Sequence, residues 1–310
     1  MNQLASSGLN AVKVRLFTTS QRVLSQGRRN EIKRWLASRR KEWARLYVLM
    51  YGTYTAKQLI AEFRQRIKDD FEILMVHSAY DRLLPMYSGK YHDIIQELLE
   101  LCGKNRTLVM PAFVLGGKCG NPIEFYRTHS FDAKRTPSEM GLLTECFRRS
   151  PGALRSLHPT HSISAVGPLA TELTAGHHLA ATPSGRGTPF EIMARKKTLI
   201  IGLGVEYYRC LTQVHTAEDL AGNDFPVKFE KERSPVTVVD ANGNKREYEL
   251  TVLKSGASMN FGVVRTLLTG DELQEWRFKG SQLFLTSAET VTNRLLAAAK
   301  KGITVYGGKK

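Results

Sequence analysis

The sequence of 310 residues has few cysteines and no long hydrophobic run. Its four cysteines form no CxxC pair, so the spacing indicates neither a structural zinc site nor a disulfide framework. No apolar run reaches the roughly 18 residues that a membrane-spanning helix needs. Internal repeats and low-complexity stretches are also absent from the sequence. These features predict a globular protein of a reducing, cytoplasmic compartment.

Acidic residues are scarce near the N-terminus. Residues 1–50 contain eleven Lys and Arg but only Glu31 and Glu42, a net charge of +9, which leaves +7 of the overall +16 for the remaining chain. Residues 1–29 contain no acid, as in a mitochondrial transit peptide or a disordered basic tail. The excess positive charge therefore belongs mainly to an N-terminal segment.

From Asn30 to about Tyr51, apolar residues recur at spacings of three, four and seven, which predicts a helix with an apolar stripe and a basic face. Docking of this helix on the rest of the protein and contact with an anionic membrane surface are both compatible with the pattern. No recognised motif supports nucleic-acid binding. We predict a basic helical extension over 1–53 and a single domain over 54–310, in a cytoplasmic protein that is either free or peripheral to the membrane.

The part of the chain after residue 53 alternates between helical and strand patterns. Short, wholly apolar strands separated by helices indicate a largely parallel sheet covered on both faces. The predicted strands are Phe71–Val76, Thr107–Met110 and Thr198–Gly204, and the predicted helices are Tyr54–Lys68, about Tyr91–Leu101, Ser138–Arg149 and about Ser287–Lys301. Asn242-Gly243 between two extended segments predicts an antiparallel hairpin. The fold class is therefore α/β, a single domain with a largely parallel central sheet and an antiparallel hairpin portion.

Residues at helix ends support these boundaries. Thr55 is a suitable N-cap for the first helix of the domain, and Gly103 is a stop signal for the second. Thr286 and Glu289 have the spacing of a capping box for the last helix.

Two histidine-containing segments carry the chemistry. Residues 155–162 read Arg-Ser-Leu-His-Pro-Thr-His-Ser and contain His158 and His161, while residues 214–218 read Val-His-Thr-Ala-Glu and contain His215 and Glu218. A histidine with a pKa near 6.5 accepts a proton at neutral pH, and a carboxylate orients the ring and stabilises the imidazolium. This is the equipment for deprotonating an amine or a hydroxyl. By contrast, His177-His178 is predicted to be a solvated turn, without a metal role because no nearby carboxylate or cysteine completes a ligand set.

An ordered series of motifs over roughly residues 54–300 resembles the aminoglycoside 3-N-acetyltransferase family. The series consists of Met75-Val-His-Ser78, Leu108-Val-Met-Pro111, Phe131-Asp132, residues 135–145, residues 151–162, Val166-Gly-Pro168, Leu173-Thr174, Gly187-Thr-Pro-Phe190, Leu199-Ile-Ile-Gly202 and His215-Thr-Ala-Glu218. The resemblance implies transfer of an acetyl group from acetyl-coenzyme A to an amine, on a single α/β domain with an antiparallel portion. Residues 1–50 lie outside it.

The resemblance also implies residue roles. His158 corresponds to the family's catalytic base and Glu218 to the carboxylate that partners it. Members often carry Asp two residues after that His, but this chain has Thr160, whose hydroxyl cannot supply an anion. His161 is a second candidate base. We expect His215, Asp219 and Tyr207 to line the acceptor site.

Acetyl-coenzyme A is the implied co-substrate, and no metal is expected. Its pyrophosphate and 3′-phosphate suit helix N-termini and basic side chains. We predict these contacts at His77-Ser78-Ala79, at Arg135 and Ser138, and at Gly187-Thr188. Backbone N–H groups near His77-Ser78 or Ala112-Phe113 are candidate donors to the tetrahedral oxyanion.

The sequence leaves the acceptor and the oligomeric state open. Because a site for a polycation should focus negative potential, the net charge of +7 after residue 50 favours a neutral or anionic amine, such as an amino sugar on a nucleotide or lipid-linked carrier, over an aminoglycoside. The protein would then serve surface-glycan or secondary-metabolite synthesis. An inactive homologue that binds coenzyme A or acts as a scaffold is one alternative, and a hydrolytic or non-acetyl acyl-transfer enzyme is another. Monomer and homodimer both remain open.

Overall fold

A computed structural model describes residues 43–253 and 259–306, together with the isolated positions Ser25, Gly27, Arg28 and Glu31. Most of the helix predicted over Asn30–Tyr51 lies outside the described residues. Its final part is a helix, α1, at Ala44–Tyr51, which buries none of its side chains. Membrane contact through this segment stays a prediction. Within the described part of the chain, no helix is both long enough and apolar enough to cross a bilayer.

The described strands form two sheets. Their bounds are β1 Ile73–Ser78, β2 Thr107–Pro111, β3 Phe131–Asp132, β4 Leu154–Arg155, β5 Ile163–Val166, β6 Thr198–Leu203, β7 Lys231–Val239, β8 Lys245–Leu253, β9 Leu273–Phe278 and β10 Ser281–Ser287. The larger sheet has seven strands in the order β4-β5-β2-β1-β6-β10-β9, and the smaller has three in the order β3-β7-β8.

The three strands predicted from the sequence form the centre of the larger sheet. β1 runs parallel to both β2 and β6, with Met75 opposite Val109 and Ile200. The flanking strands β5, β4, β10 and β9 pair antiparallel, and so do β7 and β8 around Asn242-Gly243. The predicted α/β class, with a parallel centre and an antiparallel hairpin, is confirmed.

Helices cover both faces of the larger sheet. After α1 they are α2 Ala56–Arg64, α3 Tyr91–Cys102, α4 Pro122–Tyr126, α5 Leu142–Arg148, α6 Ala170–Ala175, α7 Pro189–Arg195, α8 Val214–Ala221, α9 Gly262–Leu267 and α10 Ala288–Ala299. Short 3₁₀ turns occupy Tyr80–Arg82, Gly117–Cys119, His177–Leu179, Tyr207–Arg209 and Gly222–Asp224.

Alternation along β1 assigns these helices to the two faces. Ile73 and Met75 pack in one buried cluster with residues of α7, α8, α9 and α10. Leu74 and Val76 pack in the other, with residues of α2, α3 and α5. Side chains alternate across a strand, so the apolar run Ile73–Val76 in β1 follows from burial on both faces.

Helix ends follow the sequence signals with two differences. The Thr55 side chain caps α2, and Gly103, with φ +60°, ends α3. The last helix is capped by Ser287, which accepts from the Thr290 amide, whereas Thr286 is still in β10 and donates to the Glu272 carbonyl. The capping box at Thr286 is therefore wrong. The helix predicted from Ser138 begins only at Leu142, because the Ser138 hydroxyl closes a local turn with the Met140 amide.

Candidate active site

The loop of residues 156–162 lies at the carboxyl end of β2. Pro111 pairs with Ile163 at the start of β5, and the ladder continues beyond the strands because the Ala112 and Val114 amides donate to the Ser162 and Thr160 carbonyls. The carboxyl ends of strands in an open α/β sheet are the usual place for a ligand. The histidine motif thus lies where such a fold binds its substrates.

Arg155 holds one side of this loop in place. Its guanidinium donates to the Ala112 and Thr136 carbonyls and to the Ser162 hydroxyl, and it lies 4.8 Å from the centre of the Phe131 ring. On the other side, the Tyr126 hydroxyl donates to the Pro159 carbonyl at 2.8 Å. The backbone that carries the two histidines of the motif is therefore held by buried and partly buried hydrogen bonds.

His158 is buried and both of its ring nitrogens are engaged. Nδ1 accepts from the Thr160 amide at 3.2 Å and from the His161 amide at 3.0 Å, and Nε2 lies 3.0 Å from the Tyr248 hydroxyl. Burial, followed by the proximity of His177 and His161, lowers the pKa of His158 well below 6.5. Protonation of Nδ1 would also break two backbone hydrogen bonds.

His177 belongs to the same cluster, with its ring centre 4.6 Å from that of His158. Its Nε2 lies 2.9 Å from the Pro183 carbonyl and its Nδ1 lies 2.9 Å from the Ser156 hydroxyl. A carbonyl only accepts, so Nε2 carries the hydrogen and Nδ1 accepts from Ser156. Burial lowers the pKa of His177 to about 4. The prediction of a solvated turn is wrong for His177, which is 1% exposed.

His161 lies between His158 and α8. Its Nδ1 is 2.8 Å from the Thr160 hydroxyl, its ring packs on Phe113, and its Nε2 has no hydrogen-bond partner among the described residues. Burial, with the nearby His215 and His177, lowers the pKa of His161 to about 3.

His215 has the carboxylate partner. Nδ1 of His215 lies 3.0 Å from Oε2 of Glu218 on the same turn of α8, and the Tyr306 hydroxyl donates to the same oxygen at 3.0 Å. Burial alone would lower the pKa of His215, but the charge and hydrogen bond of Glu218, with the charge of Asp219, raise it above 6.5. The His215 side chain is 30% exposed.

Glu218 pairs with a different histidine from the one that the resemblance implies. Glu218 contacts His215 and Tyr306, and within the described residues no hydrogen bond joins it to His158. The reason is local, since the ring of His158 is already held by two amides and a tyrosine. The motif histidines and Glu218 nevertheless lie close together. Glu218 contacts His215, and His215 is near enough for its charge to lower the pKa of His161.

Several residues predicted to bind coenzyme A have structural partners. The Ser138 amide donates to Glu145, and the Thr188 hydroxyl caps α7 while donating to the Gly185 carbonyl. The Gly187 amide donates to Glu191. The Arg135 side chain is 91% exposed and is 4.0 Å from Asp132. Only Arg135 in this group leaves its polar atoms largely available to a ligand.

The end of β1 also carries predicted ligand contacts. His77 is 3% exposed, its Nε2 has no partner in the described part of the protein, and burial lowers its pKa to about 4. Ser78 is half-buried at the end of the strand, and the Ala79 amide donates to the Leu203 carbonyl. The Ala112 amide, one candidate oxyanion donor, already donates to the Ser162 carbonyl at 2.7 Å.

Two residues predicted to line the acceptor site, Asp219 and Tyr207, make other contacts in the structure. Asp219 accepts from the Ser184 amide at 2.8 Å and so ties the 182–185 loop to α8. Tyr207 is fully buried and its hydroxyl donates to the Phe261 carbonyl, so it is a core residue and not an exposed acceptor contact. Among residues 43–253 and 259–306, no three His, Cys, Asp or Glu side chains are grouped to hold a metal ion.

Sequence reasoning missed Tyr248 and Tyr306. Tyr248 is a strand residue of the hairpin, and its alternation with charged neighbours indicated only a face of β8. Tyr306 lies beyond the last predicted helix. No local spacing in the sequence links either tyrosine to a histidine motif.

Comparison with known proteins agrees with the fold. A family model described as aminoglycoside 3-N-acetyltransferase matches residues 75–298. The aminoglycoside N(3)-acetyltransferase IX of Micromonospora chalcea is 23% identical over 259 residues, which cover 74% of this chain and 90% of that protein.

Two solved structures are similar in fold. The aminoglycoside acetyltransferase AAC(3)-Xa superposes with a TM-score of 0.69 at 20% identity, covering 84% of this chain and 98% of that one. AAC-IIIb, solved as a binary complex with CoASH, superposes with a TM-score of 0.66 at 22% identity, covering 83% and 99%.

Proposed function

Because the chain belongs to the aminoglycoside 3-N-acetyltransferase family, and is thus an N-acetyltransferase, we propose that it transfers an acetyl group from acetyl-coenzyme A to an amine of an aminoglycoside-type acceptor. Transfer is direct, in a ternary complex, with His215 as the general base and Glu218 as its partner. The observation that carries this proposal is the His215–Glu218 hydrogen bond.

Three features favour His215 over the other histidines of the cluster. A hydrogen bond from Nδ1 to a carboxylate leaves the lone pair on Nε2, the arrangement of a histidine base held by an acid. The His215 side chain is partly exposed, so a bound amine has access to it. The pKa of His215 is raised, whereas the pKa of His161 is lowered to about 3 and His158 offers its lone pair to two backbone amides.

The chemistry requires such a base. An acceptor amine whose pKa lies above 7 is mostly an ammonium ion and cannot attack a thioester until it loses a proton. That first proton passes to solvent, Nε2 of His215 takes a second proton from the nitrogen as it attacks, and Glu218 stabilises the imidazolium that results. Bound acetyl-coenzyme A supplies the activated acetyl group and a thiolate leaving group. The proton held on His215 is then available to the thiolate, so that the products are an amide and a free thiol.

Local charge supports a cationic acceptor. Glu218 and Asp219 both raise the pKa of His215, so this part of the site carries negative potential although the whole protein is basic. The relative from Micromonospora chalcea is named for an aminoglycoside acceptor. We therefore place aminoglycosides ahead of the neutral or anionic amino sugars that the net charge favoured.

The carboxyl ends of β1 and β2 suit the pantetheine and thioester portion of coenzyme A. His77 and Ser78 lie at the carboxyl end of β1, which pairs with β2, and the ring of Phe113, just after β2, packs on His161. Arg135 offers an exposed guanidinium to a phosphate. The structure of AAC-IIIb with CoASH supports a coenzyme site in this fold.

The test is a thiol-release assay with acetyl-coenzyme A and a panel of purified aminoglycosides and amino-sugar nucleotides, with mass spectrometry of the products. We expect acetylated aminoglycoside and a loss of about 10²–10⁴-fold in turnover for His215→Ala at unchanged coenzyme A affinity. Activity confined to amino-sugar nucleotides would contradict the acceptor assignment.

The same assay separates the alternatives. Thiol release without any acceptor identifies a hydrolase, and binding of coenzyme A without turnover identifies a scaffold. A matched control is His92→Ala, which removes an exposed histidine on α3 and should leave turnover unchanged. Equal losses in His92→Ala and His215→Ala would contradict the assignment of the base.

A further inference from the structure

We propose that α1 binds the surface of an anionic lipid bilayer, with its exposed apolar side chains inserted at the boundary between headgroups and acyl chains. The pattern of the sequence is compatible both with docking of this segment on the protein and with membrane contact, and the exposure of α1 favours the second. The inference goes beyond acetyl transfer and does not depend on it.

A contiguous group of apolar side chains on α1 faces solvent. Trp43, Leu46, Tyr47 and Met50 are spaced by three, four and seven residues, so they share one side of the helix. Their exposed fractions are 52, 41, 38 and 61%, and Leu49 beside them is 82% exposed. We call these five residues the apolar face of α1. Single exposed apolar residues are ordinary, whereas a contiguous group marks a surface that contacts something else.

The rest of the protein fixes the orientation of α1. Lys279, in the turn between β9 and β10, donates through its ammonium group to the Thr53 carbonyl at 2.6 Å. The Tyr51 ring lies so close to Gly280 of the same turn that a Cβ there would be 2.9 Å from it. Val48, on the side of the helix opposite the apolar face, is half-buried. The apolar face therefore points outward from a helix that is held at its C-terminal end.

Positive charge accompanies the apolar face. Arg45 on α1 and Arg277 near the end of β9 are exposed, and Lys279 adds a third cation at the anchoring turn. The α1 sequence contains no acidic residue, and residues 1–50 have a net charge of +9. Each Lys or Arg near an anionic bilayer contributes about 1 kcal/mol of binding free energy. Charge and apolar exposure thus favour the same partner.

An anionic bilayer fits this surface better than a second copy of the chain does. A symmetric contact through α1 would bring two segments with a net charge of +9 side by side, and like charges repel. Anionic headgroups neutralise these cations instead. Trp43, Tyr47 and Tyr51 also have the amphipathic rings that are enriched at membrane–water interfaces.

The contact lies at the same end of the larger sheet as the histidine motif. β10 runs antiparallel to β6, and Leu283 near the start of β10 pairs with Leu203 at the carboxyl end of β6. The β9–β10 turn that holds α1 is therefore at the carboxyl ends of the parallel strands. A bilayer that contacts α1 lies at the end of the sheet where the site is.

The test is sedimentation of the full-length protein with vesicles of phosphatidylglycerol or of phosphatidylcholine at low salt. We expect binding to phosphatidylglycerol, none to phosphatidylcholine, and weaker binding as sodium chloride is added, because salt screens the attraction. Equal binding to the two lipids, or binding to neither, would overturn the proposal.

Leu49→Asn tests the apolar contribution. Asparagine is similar in size to leucine but polar, so the variant should bind phosphatidylglycerol vesicles about tenfold more weakly or worse, as expected when a leucine side chain is no longer removed from water. Leu179→Asn is the matched control, because Leu179 is 78% exposed but lies in the 3₁₀ turn His177–Leu179. Its affinity should equal that of the wild type. The same affinity for both variants would contradict a role for α1.

Arg45→Gln tests the charge. Loss of one cation from α1 should weaken binding about fivefold at low salt, and the difference should disappear at high salt. Lys104→Gln removes the same charge from an exposed position between α3 and β2 and should bind as the wild type does. Equal losses in Arg45→Gln and Lys104→Gln would show that only net charge matters, which overturns the assignment to α1.

Sedimentation equilibrium without lipid tests the competing occupant. The wild type and Leu49→Asn should have the same mass, and equal melting temperatures establish that the variant is folded. An oligomer that Leu49→Asn dissociates would overturn the proposal in favour of a contact between copies. Vesicle binding is measured without coenzyme A or acceptor, so failure of the proposed acetyl transfer and failure of this inference are separate results.

Discussion

Oε2 of Glu218 lies 3.0 Å from Nδ1 of His215. His215 precedes Glu218 by one helical turn on α8. Residues three apart face the same side of a helix, so the pair is built into a single element and needs no long-range folding to meet. The Tyr306 hydroxyl reaches the same oxygen from the C-terminal segment. A carboxylate in this setting controls both the orientation and the basicity of its histidine.

Glu218→Gln tests that control through pH. Glu218 raises the pKa of His215, so removing its charge lowers that pKa. The acid limb of the kcat/KM profile should move to lower pH, and the plateau should fall at least tenfold because the weaker base accepts a proton less readily. The profile is measured between pH 5 and 9.

Glu289→Gln is the matched control, since Glu289 lies on the exposed first turn of α10. Its profile should overlay the wild type. An acid limb for Glu218→Gln that stays in place would mean that His215 is not the group that titrates.

Tyr306→Phe should act in the opposite direction. The Tyr306 hydroxyl competes with His215 for Oε2 of Glu218, and its loss leaves that oxygen to the histidine alone. The pKa of His215 should therefore rise, and the acid limb of kcat/KM should move to higher pH. The variant should also lose about 1 kcal/mol of unfolding free energy from the missing hydrogen bond. Unchanged titration together with lost stability would assign Tyr306 a purely structural role.

The sequence was sufficient for the parts of the fold that depend on local pattern. The mainly apolar β1, β2 and β6 segments predicted a buried parallel centre, and Asn242-Gly243 predicted the hairpin between β7 and β8. These patterns succeed because burial on both faces of a strand, or a tight turn, constrains nearby residues.

The connections within the site could not be predicted in this way. The Tyr248–His158 contact joins residues 90 positions apart and depends on how the small sheet sits over the larger one. Thr188 and Ser138 resembled anion sites because capping residues and phosphate-binding residues share the same polar groups, and in the structure those groups serve caps and turns. The spacing of residues in the sequence identifies candidate ligand-binding groups. The packing of the folded protein determines which of their polar atoms remain free to bind a ligand.

Gly202→Ala should destabilise the sheet. Gly202 lies on β6 opposite Phe284 of β10, and a Cβ at this position would collide with the fully buried Phe284 ring. The ring has no room to move in a packed core, so we expect a loss of about 2–3 kcal/mol in unfolding free energy by urea titration. Gly270→Ala is the matched control, because a Cβ there meets nothing within 4 Å. Equal stability of the two variants would contradict this account of the β6–β10 packing.

The buried histidines should make the protein sensitive to mild acid. The pKa of His77 and of His177 is lowered to about 4 and that of His158 is lowered well below 6.5, whereas an unfolded histidine titrates near 6.5. As the pH falls below about 6.5, these histidines bind protons in the unfolded chain but not in the folded protein. The free energy of unfolding therefore falls. Each such histidine contributes up to about 1.4 kcal/mol per pH unit.

His77→Leu isolates one of these contributions. His77 has an Nε2 without a partner in the described residues, so its replacement removes a titrating group and no hydrogen bond of that nitrogen. Urea titrations at pH 6.5 and 5.5 should show a shallower loss of stability in the variant, by about 1 kcal/mol, with His92→Gln on the exposed face of α3 matching the wild type. This interval lies above the range in which Glu145, whose pKa is lowered to about 2, contributes to acid unfolding. Parallel slopes for His77→Leu and the wild type would show that His77 is already protonated, or exposed to water, in the folded protein.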